Sequence, residues 1–108
     1  CSQDAPCWLP KLQDKDVVVR ARAAYELGRI GAAEAVAPLT KALLEEQLLV
    51  REAATRALDW LADAPAAKPA LKSAAQQIAA QLAAEQGKVQ LVKVNEELRR
   101  LQVKLSRL

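Results

Sequence analysis

The sequence predicts an all-α fold: a short α-solenoid of helical hairpins, followed by a long amphipathic or coiled-coil C-terminal helix. The first observation behind this prediction is the composition. Ala and Leu dominate, whereas three Gly and five Pro in 108 residues are too few for the many turns of a β-sandwich or a barrel. The second observation is an internal repeat, since residues 17–44 align with residues 48–75 at an offset of 31 positions.

The repeat contains eight identical pairs among 28 aligned positions. An Ala-rich composition alone does not easily produce paired Val-Arg, Leu and Pro residues at one offset. The identical pairs are Val19/Val50, Arg20/Arg51, Ala23/Ala54, Leu27/Leu58, Ala33/Ala64, Ala35/Ala66, Pro38/Pro69 and Lys41/Lys72. Each copy is therefore expected to fold as one helical hairpin.

Five helices are expected, near residues 17–30, 33–46, 48–62 and 68–86 and within residues 88–108. Apolar residues recur at helical spacing through the first of them. Asp16 occupies its N-cap position, and Gly28 and Gly31 mark its end. Pro38 lies in the first turns of the second helix, and Pro69 opens the fourth.

Three segments are predicted: an N-terminal tether at residues 1–7, a repeat domain at 8–86 and a C-terminal helix at 87–108. Just before the first repeat, residues 7–14 look like the tail of a truncated unit, because Leu12 falls opposite Leu43 at the repeat offset. The last segment is basic, with six Lys or Arg residues against two Glu over residues 88–108.

Apolar residues of the C-terminal segment follow a heptad pattern, with steps of 3, 4, 3, 4 and 3 positions. They are Leu91, Val94, Leu98, Leu101, Leu105 and Leu108. This seam is predicted to bind a helix of a partner protein or of a second copy of the chain. The alternative is that it packs on the repeats as the end cap that a solenoid requires. A helix throughout is favoured, with a break at Gly87, or an extended run over 89–94 before a helix capped by Asn95, as alternatives.

Trp60 is a second candidate for a protein-binding surface. At the repeat offset it aligns with Arg29, a charged residue that is expected to point outward. A Trp at an outward position is either covered by the C-terminal helix or available to a partner, because Trp is enriched at interface hot spots.

The first repeat resembles the HEAT-like repeats of the short, roughly 30-residue type found in phycobiliprotein lyases and in many bacterial scaffold proteins. The residues that carry the resemblance are Asp14, Asp16, Val19, Arg20, Ala23, Leu27, Gly28, Ile30, Gly31, Ala33, Pro38, Leu39 and Leu43. The second copy has Asp59 and Ala62 in place of the two glycines. The resemblance covers residues 8–75 and implies a solenoid of helical hairpins. Its functional meaning is broader, because the family includes lyase subunits, nucleic-acid enzymes and scaffolds.

The same resemblance implies structural roles for Asp16, Arg20 and Arg51. In HEAT-like units this Arg and an acidic residue of the preceding turn, here Asp14 or Asp16, tie neighbouring repeats together. A bond of this kind acts as a spacer between helices and is not itself a functional site.

The N-terminus resembles that of a mature bacterial lipoprotein. The chain has no Met, so residue 1 is not expected to be the translation start. Cys1 is followed by Ser2 and a polar tether, and in lipoproteins the signal peptide is cleaved before a Cys that carries a diacylglyceryl group. A Ser after that Cys goes with sorting to the outer membrane, so the resemblance implies a lipid at Cys1 and a location facing the periplasm. Two alternatives stay open: a disulfide with Cys7, and a fragment boundary at residue 1.

Catalysis and cofactor chemistry are not predicted. The chain contains no His, no glycine-rich phosphate loop and no HExxH or CxxC motif, and two Cys cannot supply a four-ligand zinc site. The predicted function is a non-catalytic protein–protein interaction module, a lipid-anchored scaffold or adaptor of the bacterial envelope. The alternative is a fragment of a larger cytosolic HEAT-like protein whose basic C-terminal segment contacts nucleic acid. The absence of aromatic residues among those basic residues disfavours this alternative.

Overall fold

A computed structural model describes residues 4–43, 45, 47–86 and 92–107, with the backbone alone for 81–86 and 92–98. Its α-helices are α1 (Ala5–Trp8), α2 (Val17–Ile30), α3 (Val36–Ala42), α4 (Leu48–Ala62), α5 (Lys68–Gln86) and α6 (Val92–Ser106). Short 3₁₀ segments cover Leu9–Gln13, Ala33–Ala35 and Pro65–Ala67. No strand occurs in this part of the chain, so the predicted all-α fold is confirmed. None of these helices, as far as they are described, has the length and apolarity to cross a membrane.

The helices form two layers. The first helices of the two repeats, α2 and α4, pack side by side along their length, and the second helices, α3 and α5, pack together on one side of them. Helix α6 packs on α4 and α5, so it extends the first layer beyond α4. At the opposite end α1 and the following 3₁₀ segment pack on α2. The result is a solenoid of two hairpins with helical segments covering both ends.

The N-terminal segment differs from the predicted tether. Residues 5–7, assigned to the tether, belong to helix α1, and the side chains of Ala5 and Trp8 are buried in the core. Trp8 anchors this helix because a large aromatic side chain buries more apolar area than any other residue of the segment. The repeat domain therefore begins before residue 8, while Cys1 lies outside the described residues.

The start of α2 follows the sequence prediction. The Asp16 carboxylate accepts a hydrogen bond of 2.9 Å from the backbone N–H of Val18, so Asp16 is the N-cap residue. Gln47 stands at the equivalent position before α4, and its side chain makes no such bond. The first helices of the two repeats thus begin at equivalent positions with different capping chemistry.

The two glycines of the first repeat have different roles. Gly31 has a φ of 79° and ends α2 in a Schellman motif, in which Gly31 N–H donates to the Gly28 carbonyl and Ala32 N–H to the Leu27 carbonyl. Gly28 was expected to mark the helix end as well, but it lies inside α2. A Cβ atom there would lie 2.4 Å from the Cα of Ala57, so the absence of a side chain lets α2 and α4 approach closely.

The second helix of the first repeat is shorter than predicted. A 3₁₀ segment occupies the first positions of the expected range 33–46, and α-helical geometry covers Val36–Ala42. Pro38 is the third residue of α3, within the first turn, where a missing backbone N–H costs no helical hydrogen bond. Residues 44 and 46 lie outside the described part of the chain.

One hydrophobic core connects both repeats and the two end segments. Apolar positions of every helix contribute to it, as the amphipathic spacing requires. Its largest fully buried side chains are Leu27, Leu39, Leu58, Leu61, Leu71, Ile78 and Leu101. The two buried Thr residues are satisfied within their own helices, since each hydroxyl donates to the carbonyl four positions earlier.

Candidate functional site

A groove runs between α2 and α4 on the side of these helices that faces away from α3 and α5. Its lining comes from four positions of each helix, and these positions correspond pairwise at the repeat offset of 31. The pairs are Val18/Leu49, Ala21/Glu52, Arg22/Ala53 and Tyr25/Arg56. Since the positions of each helix are spaced i, i+3, i+4 and i+7, they form one helical face. We call this feature the α2–α4 groove; it encloses about 290 Å³.

The α2–α4 groove collects three of the four large exposed apolar side chains that the described part of the chain presents. Val18 is 63% exposed, Leu49 is 49% exposed and Tyr25 is 38% exposed, and all three line the groove. The remaining large exposed apolar residue among those described is Val103 on α6. Three solvent-facing apolar residues in one concave feature are more than the scattered exposure that any surface shows.

A second hollow adjoins the groove at the α1 end and shares Val18 and Arg22 with it. Its other lining residues include Trp8 and Lys11. The guanidinium carbon of Arg22 lies 6.0 Å from the Trp8 ring centroid, within cation–π distance. Arg22 therefore lies between the two features and brings a positive charge to both.

The combined lining is cationic. The lining residues include three cations, Lys11, Arg22 and Arg56, and one carboxylate, that of Glu52. Glu52 pairs with Arg56 within α4 at 3.9 Å, which is a long and weak ion pair. The groove thus combines an apolar surface with an excess of positive charge.

Trp60 borders this region. Its ring packs edge-on against the ring of Tyr25, with centroids 4.9 Å apart and an interplanar angle of 77°. Trp60 is half-buried, and it lines a shallow depression together with Arg29 and Gly31. The contact joins the two repeats across α2 and α4, so Trp60 supports the Tyr25 end of the groove.

The heptad seam of the C-terminal helix does not form a free surface where it is described. Leu101 and Leu105 are buried in the core, fully and nearly fully, because α6 packs on α4 and α5. For these two positions the end-cap alternative describes the structure, and a partner helix cannot reach them while α6 is seated. The side chains of Val94 and Leu98, and residues Leu91 and Leu108, lie outside what the structure describes.

Helix α6 is also held by a charged latch. The ammonium of Lys104 lies 2.8 Å from a carboxylate oxygen of Asp63 and 3.1 Å from one of Asp59. Asp59 is the residue that replaces Gly28 in the second repeat, so the change from the repeat pattern has a structural reason. In the first repeat, Gly28 lets α4 approach α2 closely, whereas in the second repeat Asp59 binds Lys104 of α6. We call these three residues the Lys104 latch.

The basic face of α6 is therefore smaller than the sequence suggests. Lys104 is one of the six basic residues of the C-terminal segment, but it is paired with two carboxylates, one in α4 and one at the C-cap of α4. Arg99, Arg100 and Arg107 remain exposed.

The latch raises the pKa of Lys104 above its ordinary value of 10.5. Partial burial by itself lowers this pKa, but the hydrogen bonds and negative charges of Asp63 and Asp59 outweigh the effect. Because the folded-state pKa is raised, the latch contributes its full stability below the unfolded-state pKa and loses it as the pH rises through the folded-state pKa.

We expect this loss to be visible in a comparison with Lys104→Arg, which stays charged at alkaline pH. Between neutral pH and about pH 11, the free energy of unfolding of the wild type should fall relative to that of the variant. Urea unfolding at the two pH values measures the change. A difference between the two proteins that does not vary with pH would contradict the role of the latch.

Arg20 ties the two repeats together in a way that the sequence analysis only partly anticipated. Its guanidinium donates to the backbone carbonyl of Asp14 at 2.8 Å and to the carboxylate of Glu45 at 2.9 Å. Glu45 occupies the position of Asp14 in the second repeat, so Arg20 connects the turns that precede α2 and α4. Asp16 does not take part, because its carboxylate caps α2. Arg51, the equivalent of Arg20, is half-buried.

Sequence reasoning missed most of the groove. Val18 and Leu49 are both apolar and occupy the same repeat position, one residue before the identical pair Val19/Val50. This shared apolar position was the signal in the sequence, but by itself it did not indicate a groove. Among the residues that the structure describes, no group of three or more Cys, Asp or Glu side chains is placed to hold a metal ion.

Comparison with known sequences agrees with this architecture. The family model described as HEAT repeats matches residues 5–87, which is well over half of the chain. In a comparison with curated proteins, no sequence matches the chain. The match begins at residue 5, so it includes residues 5–7 of α1, which the sequence analysis had assigned to the tether. The matched residues form two helical hairpins in two layers, and the chain belongs to the HEAT repeat family.

Proposed function

We propose that the chain is a non-catalytic protein-binding module that uses the α2–α4 groove. HEAT repeats generally mediate protein–protein interaction. The observation that carries the proposal is the convergence of Val18, Tyr25 and Leu49, all solvent-exposed, on one concave feature. An apolar cluster bordered by charged side chains is typical of an interaction site. Because each repeat fits within 31 residues, we further propose the short repeat type of phycobiliprotein lyases and bacterial scaffolds, in a scaffold or adaptor role.

Site-specific photo-crosslinking tests this proposal. A photoreactive phenylalanine analogue replaces Leu49 in the groove or Val103 on α6, two residues with the same 49% exposure. In cells of the native host, the analogue at position 49 should yield a discrete protein adduct, and the analogue at position 103 should not. Adding Val18→Ser in the same chain should reduce the adduct at position 49, because both side chains line the groove.

Three results would contradict the groove as the binding surface. These are adducts of equal yield at the two positions, an adduct at position 103 alone, and an adduct at position 49 that Val18→Ser leaves unchanged. Circular dichroism of each substituted protein controls for loss of the fold.

We also propose that this module works in the bacterial envelope, attached to the membrane by a lipid at Cys1. Cys7 is disulfide-bonded, and disulfides persist in oxidising compartments such as the bacterial periplasm, which supports an envelope location. Cys1 is the other cysteine of the chain, and a sulfur that carries a diacylglyceryl group cannot also form a disulfide. The lipid-anchored protein would therefore lack the Cys7 disulfide, so the lipid and the disulfide are alternative states of Cys1.

Intact mass distinguishes the two states of Cys1. Protein extracted from its native membranes should carry the acyl mass on the N-terminal residue, and Cys1→Ala in the full precursor should release it from the membrane. An unmodified chain that gains the mass of two hydrogens on reduction would overturn the lipid proposal and leave the envelope location standing. Full-length protein found in the cytosol would overturn both.

A further inference from the structure

We propose that the partner segment of the α2–α4 groove is an acidic amphipathic helix, with one apolar row and carboxylates on its flanks. This inference rests on the proposed function, since it names the partner of that same groove. It follows from three properties of the lining: its dimensions, its profile and its charge.

The dimensions fit two turns of a helix. The lining positions of each helix span eight residues, a rise of about 10 Å or two turns. Because equivalent positions of α2 and α4 face each other, the two helices run side by side in the same direction. A helix lying along such a channel presents side chains at i, i+4 and i+7 to it, the spacing of one amphipathic stripe.

The shape of the groove in cross-section leaves room for the backbone of a bound helix. Ala21 is buried and Ala53 is half-buried, so the floor of the groove is made of methyl groups. Val18 and Leu49 stand on either side at one end, and Tyr25 stands at the other. Small residues in the floor and large ones on the walls leave room for the apolar side chains of an incoming helix.

The charge selects an acidic partner. The groove and its adjoining hollow are lined by three cations, Lys11, Arg22 and Arg56, and by one carboxylate, that of Glu52. Carboxylates on the flanks of a bound helix would meet these cations at the rim of the interface, where complementary charge raises the association rate and the specificity.

The same lining disfavours other occupants. A second copy of the chain would bring α6 with its exposed Arg99, Arg100 and Arg107, which the cations of the groove repel. A lipid surface is contacted by protruding apolar side chains, whereas Trp8 is only 7% exposed and the apolar residues line a concavity. The groove is lined by one aromatic ring, that of Tyr25, whereas single-stranded nucleic acid is held by several rings on which successive bases stack.

Two synthetic helical peptides of about 15 residues test the inference. Both carry the same leucine row, and their flanking positions are all Glu in one peptide and all Lys in the other. Fluorescence anisotropy with the full chain should show the Glu peptide binding about tenfold tighter or more, with an affinity that falls as salt rises. Leu49→Ser should weaken the Glu peptide about tenfold, and Val103→Ser should not.

Charge reversal isolates the role of the groove cations. The double variant Lys11→Glu/Arg22→Glu should lose or invert the preference for the Glu peptide. Its matched control, Arg99→Glu/Arg100→Glu on α6, changes the net charge equally and should keep that preference. Sedimentation equilibrium of the chain alone checks for a second copy, and flotation with phosphatidylglycerol vesicles checks for lipid.

Equal binding of the two peptides, tighter binding of the Lys peptide or binding of neither would overturn the inference. So would a control double variant that loses the preference as fully as the groove variant. Dimerisation or vesicle binding that Leu49→Ser abolishes would assign the groove to those occupants instead. In each case a groove-specific crosslink from position 49 to another protein would leave the proposed function intact, and its absence would remove both.

Discussion

Replacing Gly28 with Ala is expected to lower the free energy of unfolding by about 3 kcal/mol, although Ala is the better helix former. The new Cβ atom would lie 2.4 Å from the Cα, 2.6 Å from the Cβ and 3.1 Å from the carbonyl oxygen of Ala57. These atoms belong to the backbone and first side-chain atom of α4, which cannot rotate away. Helices α2 and α4 would have to separate, and the packing between the repeats would be lost along with the close contact.

Gly31→Ala is the matched control, because it changes the other glycine of the same helix. At position 31 the nearest atom to a new Cβ is the Cβ of Ala64 at 3.8 Å, an ordinary contact. The cost there comes only from a left-handed φ of 79° and should be about 1–2 kcal/mol. Urea unfolding of the two variants measures both costs. A Gly31→Ala cost that exceeds the Gly28→Ala cost would show that helix separation is not the dominant effect.

Leu101→Asp is expected to destabilise the chain by about 3–5 kcal/mol, because it removes a fully buried side chain and places a carboxylate in the core. Leu101 lies where α6 packs on α4 and α5. The expected outcome is release of α6 from the repeats together with a lower urea midpoint. Val103→Asp on the same helix is the control, since Val103 is 49% exposed and should tolerate the charge.

This pair of variants also decides between the two roles of the heptad seam. If the seam bound a partner helix or a second copy, Leu101→Asp would dissociate a complex while leaving the monomer as stable as the wild type. Sedimentation equilibrium of wild type and variant, alongside the urea unfolding curves, separates the outcomes. A wild-type dimer that Leu101→Asp converts into an equally stable monomer would refute the capping role.

Local features explain how much of the fold could be predicted from the sequence. The bounds of α2, α4 and α5 match the expected ranges because helical periodicity, the N-cap carboxylate of Asp16 and the left-handed Gly31 act over a few neighbouring residues. The repeat itself predicted the stacking of hairpins, since equivalent residues form equivalent helices. The short N-terminal helix was missed because its one strong signal, Trp8, shows a buried position only when α2 is beside it.

Contacts between residues far apart in the chain were decided by the tertiary structure. The partner of Arg20 is Glu45, and the partners of Lys104 are Asp59 and Asp63, which lie 25 and more than 40 positions away. Helical periodicity predicts which residues share a face of a helix, but it does not predict what packs against that face. From the sequence alone, the seam residue Leu101 could therefore have been either an interface residue or a core residue.

The candidate site depended on the same kind of information. Val18 and Leu49 lie 31 positions apart, and a groove exists only because α2 and α4 pack close enough, across Gly28 and Ala57, to bring their equivalent faces together. The sequence by itself determined the repeat, the bounds of α2, α4 and α5, and the HEAT resemblance, because these arise from interactions within a few turns. Tertiary packing alone decided the packing of α6 on the repeats, the Lys104 latch and the groove. Whether a side chain is buried, paired or exposed depends on residues far away in the sequence that pack against it.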